Sequence, residues 1–213
     1  MNAEFIEAMN ALEKERGMEP NSVGVALSFE TALGFVRMDS LISASRRVTY
    51  IGLGTEDFTK ALGIELKDPA VLNYPKFYTV IMARAHNITA SGLVGSLANF
   101  RDLDGMFELA RRSYDFGFRG AGCIHPDQVA VLNRAFGPQP EEIEHAKAVI
   151  EVYEEARSKG QGSASLNGSM IDLPVVKRAE RILKVQSEID AFEAYKQDCM
   201  ARALAKAEGG AQA

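Results

Sequence analysis

Two acidic residues stand at the ends of apolar runs in the sequence, where they could hold a metal ion. Glu30 ends the run over 23–30, and Asp57 follows the run over 48–54. If both runs are neighbouring parallel strands, their carboxyl ends lie about 4.8 Å apart at one edge of a sheet, and the two side chains can converge. Two carboxylates, completed by water and substrate oxygens, suit Mg²⁺. Spacing alone favours a simpler interpretation, in which each acid caps the helix that follows it.

Two further side chains, Asp172 and His125, could take part in chemistry. Asp172 lies between a stretch rich in Gly and Ser and a helical pattern that begins near Pro174. A carboxyl group can act there as a general acid or base, although on sequence alone a helix cap is the better assignment. His125, followed by Pro126, occupies a turn between a strand and a helix. A lone His at such a turn is more often a structural hydrogen-bonding group than a ligand contact.

These residues need a scaffold, and the apolar patterns predict strands that alternate with helices. Short apolar runs bounded by turn residues predict strands buried on both faces over 23–30, 48–54, 88–95 and 119–126. Amphipathic spacing predicts helices over 2–17, 31–45, 76–86, 101–117, 126–136 and 140–158, and one more from about 174. Such alternation is typical of right-handed βαβ units in a parallel sheet.

Two α/β architectures fit this alternation. A doubly wound dinucleotide fold needs a phosphate-binding loop after a strand, but the candidate segment 52–63 carries acidic residues that would repel a pyrophosphate. A (β/α)₈ barrel needs eight strands, and the sequence predicts four. We therefore expect a partial (half) barrel of the TIM type over 1–160, followed by a flexible connector over 161–169 and a C-terminal helical arm over 170–213.

Composition narrows the class of protein further. Lys and Arg total 24 against 29 Asp and Glu, for a net charge of -5 at pH 7, so nothing favours nucleic acid or an anionic membrane as a partner. No stretch approaches the roughly 18 apolar residues of a membrane span, and the acidic, amphipathic start of the sequence is unlike a signal peptide. The sequence has 2 cysteines and no disulfide framework. We expect a globular, cytoplasmic protein.

Four segments, in order, resemble motifs of one enzyme family. They are SFETALGF at 28–35, GLGTEDFTKALG at 52–63, GFRGAGCIHPDQVAVLNRAFGP at 117–138 and GSMIDLPVVKRAERIL at 168–183. On these motifs the chain is similar to the HpcH/HpaI aldolase and citrate lyase family, which includes citrate lyase beta subunits and the malyl-CoA and citramalyl-CoA lyases. The resemblance implies the last four βα units of a TIM-type barrel.

The resemblance also implies roles that spacing leaves open. It implies that Glu30 and Asp57 are the Mg²⁺ ligands. It implies that the arm brings Asp172 over the metal site of a neighbouring subunit, where it donates or accepts a proton, so we expect a homo-oligomer. It places His125 and Pro126 near the surface that binds coenzyme A, and the structural role of His125 stays open beside this one.

The function implied by the resemblance is reversible cleavage of a 3-hydroxyacyl-CoA, such as malyl-CoA or citramalyl-CoA, into an acyl-CoA and a 2-oxo acid. A citrate lyase beta subunit that works with an acyl carrier partner is the alternative enzyme. Few residues precede the motif at 28–35, so we expect the half barrel that carries a substrate-binding Arg in the family to be missing. A non-catalytic protein that binds coenzyme A or a partner is a third hypothesis. The open sheet edges predict self-association.

Overall fold

Strands and helices alternate along the chain, as the apolar patterns predict. The computed structural model describes residues 3–95 and 101–210, with side chains over 4–95 and 101–204. The strands are β1 (Val25–Phe29), β2 (Val48–Leu53), β3 (Thr89–Ser91), β4 (Ala164–Leu166) and β5 (Ser169–Ile171). The helices are α1 (Ala3–Glu15), α2 (Ala32–Val36), α3 (Met38–Ser43), α4 (Thr55–Ala61), a 3₁₀ helix (Pro69–Leu72), α5 (Asn73–Ala85), α6 (Leu103–Phe116), α7 (Asp127–Phe136), α8 (Pro140–Ser158) and α9 (Leu173–Gly210).

The first three strands form a parallel sheet in the order β1, β2, β3. In its register Ser28 lies beside Gly52, which lies beside Ser91 on its other side. Phe29 and Ile51 are buried in the apolar core that the sheet shares with α3 and α5. Ser28 is exposed, and β1 alternates between exposed and covered residues. The prediction that β1 is buried on both faces is therefore wrong, because helices cover only one face of it.

The predicted fourth strand, 119–126, is not a regular strand in the part of the chain that the structure describes. Its first residues still pair with β3 and the loop after it. The Arg119 N–H donates to the Ala90 carbonyl at 3.0 Å, and the Gly92 N–H donates to the Gly120 carbonyl at 2.9 Å. The glycines in this segment have no side chains that could pack against a neighbouring strand, which explains why the pairing stops after these two hydrogen bonds.

The helix predicted over 31–45 is two short helices, α2 and α3. Arg37, with φ -101° and ψ 16°, ends the first and precedes the second. Its backbone lies outside the α-helical region, so the hydrogen-bond ladder breaks there. The periodicity of apolar residues continues across the break, which is why the sequence pattern indicates one helix.

The chain divides into two compact units, Met1–Phe136 and Gly137–Ala213. The first unit contains the parallel sheet with its helices, and a second apolar cluster lies between α6 and α7 around Leu109 and Leu132. In the second unit, α8, α9 and a hairpin of β4 and β5 pack around Val149. None of the described helices is long and apolar enough to cross a bilayer. The three-part division into 1–160, 161–169 and 170–213 remains a prediction.

The hairpin overlaps the flexible connector predicted over 161–169 and ends at Ile171, inside the predicted arm. β4 and β5 pair antiparallel, and the two residues between them, Asn167 and Gly168, have φ of 51° and 79°. Two successive left-handed residues of the type Asn-Gly are typical of a type I′ turn, whose twist matches that of paired strands. The Gly and Ser content of the segment indicates flexibility, whereas this one dipeptide favours a hairpin.

A buried ion pair joins α1 to the chain before β2. The Glu13 carboxylate accepts hydrogen bonds from the Arg47 guanidinium at 2.6 Å, and from the backbone N–H groups of Asn21 and Val23. Glu13 is 4% exposed and Arg47 2%. The hydrogen bonds from Arg47, followed by those from the two backbone groups, lower the pKa of Glu13 from 4.5 to about 2.

We expect Glu13→Gln to lower the melting temperature clearly at pH 7, because the substitution leaves the Arg47 charge buried without its partner. The pKa of Glu13 is lower in the folded chain, so its stabilising effect is present above pH 4.5 and is lost as the pH falls towards about 2. The difference in melting temperature between variant and wild type should therefore shrink over that range, measured by circular dichroism. Glu65→Gln, which removes an exposed pair with Lys67, should change little at any pH. A difference that stays constant with pH would contradict the argument.

Candidate active site

Glu30 stands at the carboxyl end of β1, and its side chain lies against the start of the next βα unit. The Gly54 N–H donates to the Phe29 carbonyl at 3.1 Å, which brings the residue before α4 beside the end of β1. The Ser28 hydroxyl donates to Glu30 Oε1 at 2.8 Å. The Glu30 carboxylate is exposed and accepts this one hydrogen bond within the described residues. It is thus oriented by a neutral donor and has oxygen lone pairs available.

Gly54 leaves the space that the Glu30 side chain occupies. A Cβ atom at Gly54 would lie 2.9 Å from Glu30 Oε1 and 3.0 Å from Glu30 Cδ. Both separations are shorter than a van der Waals contact, so any other residue at this position would displace the carboxylate. Gly54 lies within the segment 52–63, whose resemblance to the family does not by itself give this glycine a role. A glycine followed closely by acids at the end of a strand is the signal that could have identified it.

Asp57 lies in the first turn of α4, three residues after Gly54. Its side chain is exposed and forms no hydrogen bond or ion pair within the described ranges. The N-terminal end of a helix favours a negative charge, which explains why an acid is tolerated here without a partner. Glu30 and Asp57 therefore stand on adjacent elements at the same edge of the sheet, with Gly54 between them in the chain. A separation of roughly 3 to 6 Å between the two carboxylates, the span that one octahedral ion requires, stays a prediction.

The alternative in which Glu30 and Asp57 cap the following helices finds no support in the hydrogen bonds. Thr31 caps α2, since its Oγ1 accepts from the Gly34 N–H at 3.0 Å. The residue at the N-cap of α4 is Gly54, without a side-chain bond. Neither carboxylate caps α2 or α4, so both can bind a ligand or a metal ion.

The donor chemistry of this pair fits a hard cation such as Mg²⁺. Glu30 and Asp57 supply carboxylate oxygens, and the cradle at Gly54 orients the first of them. Within the described residues, no three His, Cys, Asp or Glu side chains form a group that could hold a metal ion. An ion held by this pair would complete its coordination with water and substrate oxygens, as Mg²⁺ does in many enzyme sites.

His125 and Pro126 lie in the loop that precedes α7. The Gln128 side-chain oxygen accepts from the backbone N–H groups of Ile124 at 2.9 Å and of His125 at 3.3 Å, so a buried amide fixes this loop. The His125 Nδ1 accepts from the Asp127 N–H at 3.3 Å. Gln128 is not among the residues predicted from the sequence, although a polar residue three positions after His125 at a helix start is a recognisable signal. The loop is preformed, with His125 half-buried and Pro126 exposed.

Asp172 belongs to the second unit, at the start of α9. Its Oδ1 accepts from the Val175 N–H at 3.3 Å, and its carbonyl oxygen accepts from the Val176 N–H at 3.1 Å. Asp172 therefore caps this helix, which is the alternative that the sequence favours. Its other carboxylate oxygen makes no hydrogen bond within the described part of the chain. A catalytic role for Asp172 stays a prediction.

A sequence model of the HpcH/HpaI aldolase/citrate lyase family matches residues 2–126, more than half of the chain. The chain belongs to this family. The predicted resemblance to this family is thereby confirmed, and the dinucleotide alternative is set aside.

Two curated proteins show the relationship at the level of sequence. Citrate lyase subunit beta of Leuconostoc mesenteroides subsp. cremoris is 34% identical over 174 residues, which cover 81% of this chain and 57% of that protein. Mitochondrial citramalyl-CoA lyase of Rattus norvegicus is 32% identical over 169 residues, which cover 75% of this chain and 49% of that protein. The chain thus spans about half to three fifths of the length of these relatives.

A solved structure shows the same relationship at the level of fold. Protein CitE from Mycobacterium tuberculosis, solved in complex with magnesium, acetoacetate and coenzyme A, is 26% identical and superposes with a TM-score of 0.60. The match covers 76% of this chain and 60% of that chain. The chain therefore has an α/β fold of the kind found in this family, with an open three-stranded parallel sheet.

Proposed function

We propose that this chain is the metal-binding part of a Mg²⁺-dependent carbon–carbon lyase that cleaves a 3-hydroxyacyl-CoA of the malyl-CoA or citramalyl-CoA type. The proposal rests on family membership and, above all, on one observation. The exposed Glu30 side chain packs against Gly54, the residue that precedes the helix carrying Asp57. Parallel α/β enzymes build their sites at the carboxyl ends of strands, where both residues stand. That the chain forms the last four units of a barrel is part of the proposal.

In this proposal Glu30 and Asp57 hold the metal ion through one carboxylate each. A bound Mg²⁺ would supply Lewis-acid stabilisation to the oxygen that becomes the keto group of the 2-oxo acid. The Ser28 hydroxyl, 2.8 Å from Glu30 Oε1, fixes the orientation of the first ligand. Hydrogen bonds to the ligands themselves hold those ligands in the orientation that the metal ion requires.

The bond that breaks joins the carbinol carbon to the α-carbon of the thioester. The hydroxyl group gives its proton to a water molecule and its oxygen becomes the keto oxygen, while the bonding electron pair moves to the α-carbon of the acyl-CoA. That carbon then takes a proton, and we assign the donor as Asp172, in agreement with the role implied by the family motif at 168–183. We further propose that Asp172 serves the site of a neighbouring subunit in a homo-oligomer. Its free carboxylate oxygen leaves one position for a proton.

For the coenzyme A part of the substrate, we propose the preformed loop at His125 and Pro126. Gln128 fixes the backbone of this loop before any ligand arrives, which lowers the entropy lost on binding. The relative from Mycobacterium tuberculosis was solved with coenzyme A bound. His125 also makes structural hydrogen bonds in this loop.

A citryl thioester is the second candidate substrate. The match to the Leuconostoc citrate lyase subunit beta, which covers 81% of this chain, favours it. Cleavage of this substrate would give oxaloacetate in place of glyoxylate or pyruvate, so the 2-oxo acid released distinguishes the candidates.

We expect the chain, supplied with the half barrel that carries the substrate-binding Arg in the family, to release a 2-oxo acid and an acyl-CoA from one of malyl-CoA, citramalyl-CoA or citryl-CoA when Mg²⁺ is present. With excess EDTA it should release neither. Chromatography of the CoA esters and derivatisation of the 2-oxo acid would measure both products. Adding EDTA followed by surplus Mg²⁺ should restore the reaction. A folded chain that cleaves none of the three although the other half barrel is present would overturn the catalytic proposal and favour a protein that only binds coenzyme A or a partner.

A further inference from the structure

A buried lysine that the proposed chemistry does not use lies in the first turn of α5. Lys76 is 4% exposed, and its Nζ donates a hydrogen bond to the Val94 carbonyl at 3.1 Å. Within residues 3–95 and 101–210 it forms no ion pair. Burial lowers the pKa of this ammonium group below its usual value, since removal from water disfavours the charged form. The sequence pattern gives no hint of this, because the helix is otherwise amphipathic.

The residue that Lys76 contacts belongs to the loop Gly92–Gly95, which directly follows β3. In a parallel sheet this loop stands at the same edge as the end of β1. Helix α6 holds the loop as well, since the Val94 N–H donates to the Ser113 hydroxyl at 3.0 Å. Val94 is thus held through its carbonyl by α5 and through its N–H by α6.

Close packing limits the other residues of the loop. A Cβ atom at Gly92 would lie 2.9 Å from the Phe118 ring, and one at Gly95 would lie 2.8 Å from a Leu109 methyl group. Leu93 is buried in the apolar cluster between α6 and α7. The loop backbone therefore runs close to α6 and Phe118, and Lys76 supplies the charged side chain among these contacts.

An apolar side chain of similar length would fill the position of Lys76 without the cost of burying a charge. The single hydrogen bond to Val94 is what the lysine adds beyond filling space. Burial of a charged side chain is unfavourable, and here that side chain fixes a loop at the edge of the sheet that carries Glu30. Enzymes often retain such residues because they position the groups that bind substrate.

We propose that Lys76 is a positioning residue, which fixes the substrate-side loop Gly92–Gly95 through its hydrogen bond to the Val94 carbonyl. The loop conformation itself follows from the contacts above. Its consequence for substrate binding rests on the proposed function. The class of ligand affected is the acyl thioester, because the loop borders the edge of the sheet where Glu30 stands.

The test is amide hydrogen exchange of the loop, read residue by residue by NMR on the full chain. Lys76→Met keeps most of the side-chain volume but removes the charge and the donor. We expect exchange at Gly92 and Val94 to accelerate by about 10-fold or more, the effect of one lost hydrogen bond. Exchange at Ile51 in β2 should change much less. Lys76→Arg keeps a donor and a charge and should restore protection to within about threefold. Lys60→Met, on the exposed face of α4, is the matched control.

Two outcomes would overturn the inference. In the first, exchange of the loop in Lys76→Met is no faster than in Lys60→Met. In the second, Lys76→Arg exchanges as fast as Lys76→Met, which would mean that only packing matters. If the Met variant does not fold, Lys76→Gln, which is one atom shorter and cannot reach the same carbonyl, is read in the same way.

Kinetics separate this inference from the proposed function. If the chain is a lyase, Lys76→Met should raise KM for the acyl thioester by about 10-fold with a smaller change in kcat, and Lys76→Arg should reverse it. A chain without lyase activity whose loop loosens in Lys76→Met would overturn the proposed function and keep the positioning role. An active chain whose loop and KM are unchanged in Lys76→Met would overturn the positioning role alone.

Discussion

Glu30→Gln should weaken the binding of Mg²⁺ by at least about 10-fold, because an amide oxygen carries no charge for a hard cation. The substitution keeps the size of the side chain and an oxygen that can still accept from the Ser28 hydroxyl. Glu30 is exposed and does not cap α2, so the melting temperature of the metal-free chain should stay within about 2 °C of wild type. Titration calorimetry with Mg²⁺, with pyruvate present to supply substrate oxygens, would measure the affinity.

Two further variants decide whether the effect is specific to the site. Glu56→Gln removes the same charge from the neighbour of Asp57 in the first turn of α4 and should leave the affinity nearly unchanged. Gly54→Ala removes no ligand, but its Cβ would collide with the Glu30 carboxylate. It should therefore weaken Mg²⁺ binding roughly 10-fold, as the loss of a hydrogen bond that orients a metal ligand does. If Glu30→Gln and Glu56→Gln weakened the affinity for Mg²⁺ equally, the ion would be attracted only by the overall negative charge at this edge of the sheet.

The sheet and the placement of Glu30 and Asp57 could be predicted because both depend on local pattern. The apolar runs at β1 and β2 are bounded by turn residues, and an acid after a buried strand falls at the carboxyl edge whatever the rest of the chain does. The ends of the strands were less predictable. β3 extends only over Thr89–Ser91, since the glycines that follow it are held by contacts from α6 and the segment after it rather than by a strand.

The supports of the site could not be predicted, because they depend on contacts between distant segments. The hydrogen bond from Lys76 to Val94 depends on how α5 packs against the loop after β3. The space at Gly54 depends on how the end of β1 packs against the start of α4. No short-range periodicity reports such contacts. The hairpin before α9 is a different case, since Asn167 and Gly168 are a recognisable turn signal that the Gly and Ser content of the surrounding segment obscures.

The catalytic role proposed for Asp172 is harder to test than the metal site, because the same side chain caps α9. A substitution that removed the cap would destabilise the helix by about 1 kcal/mol, and loss of activity would then be ambiguous. Asparagine avoids this problem. Its side-chain oxygen can accept from the Val175 N–H as Asp172 Oδ1 does at 3.3 Å, and Asn ranks with Asp as an N-cap residue. What Asn cannot do is carry a proton to a carbon atom.

Asp172→Asn should therefore lower kcat by about 100-fold or more, the usual contribution of a positioned acid or base, while the melting temperature and the affinity for Mg²⁺ stay near those of wild type. Steady-state kinetics of the chain supplied with the missing half barrel would measure kcat, and the same preparations would give the melting temperatures. Asp68→Asn is the matched control, since Asp68 also accepts from a backbone N–H at a helix start, that of Ala70 at 2.9 Å, and should leave kcat unchanged. Asp172→Ala should lose both stability and turnover. Full turnover in Asp172→Asn would leave Asp172 with its capping role alone, and the proton for the α-carbon would then have to come from another group.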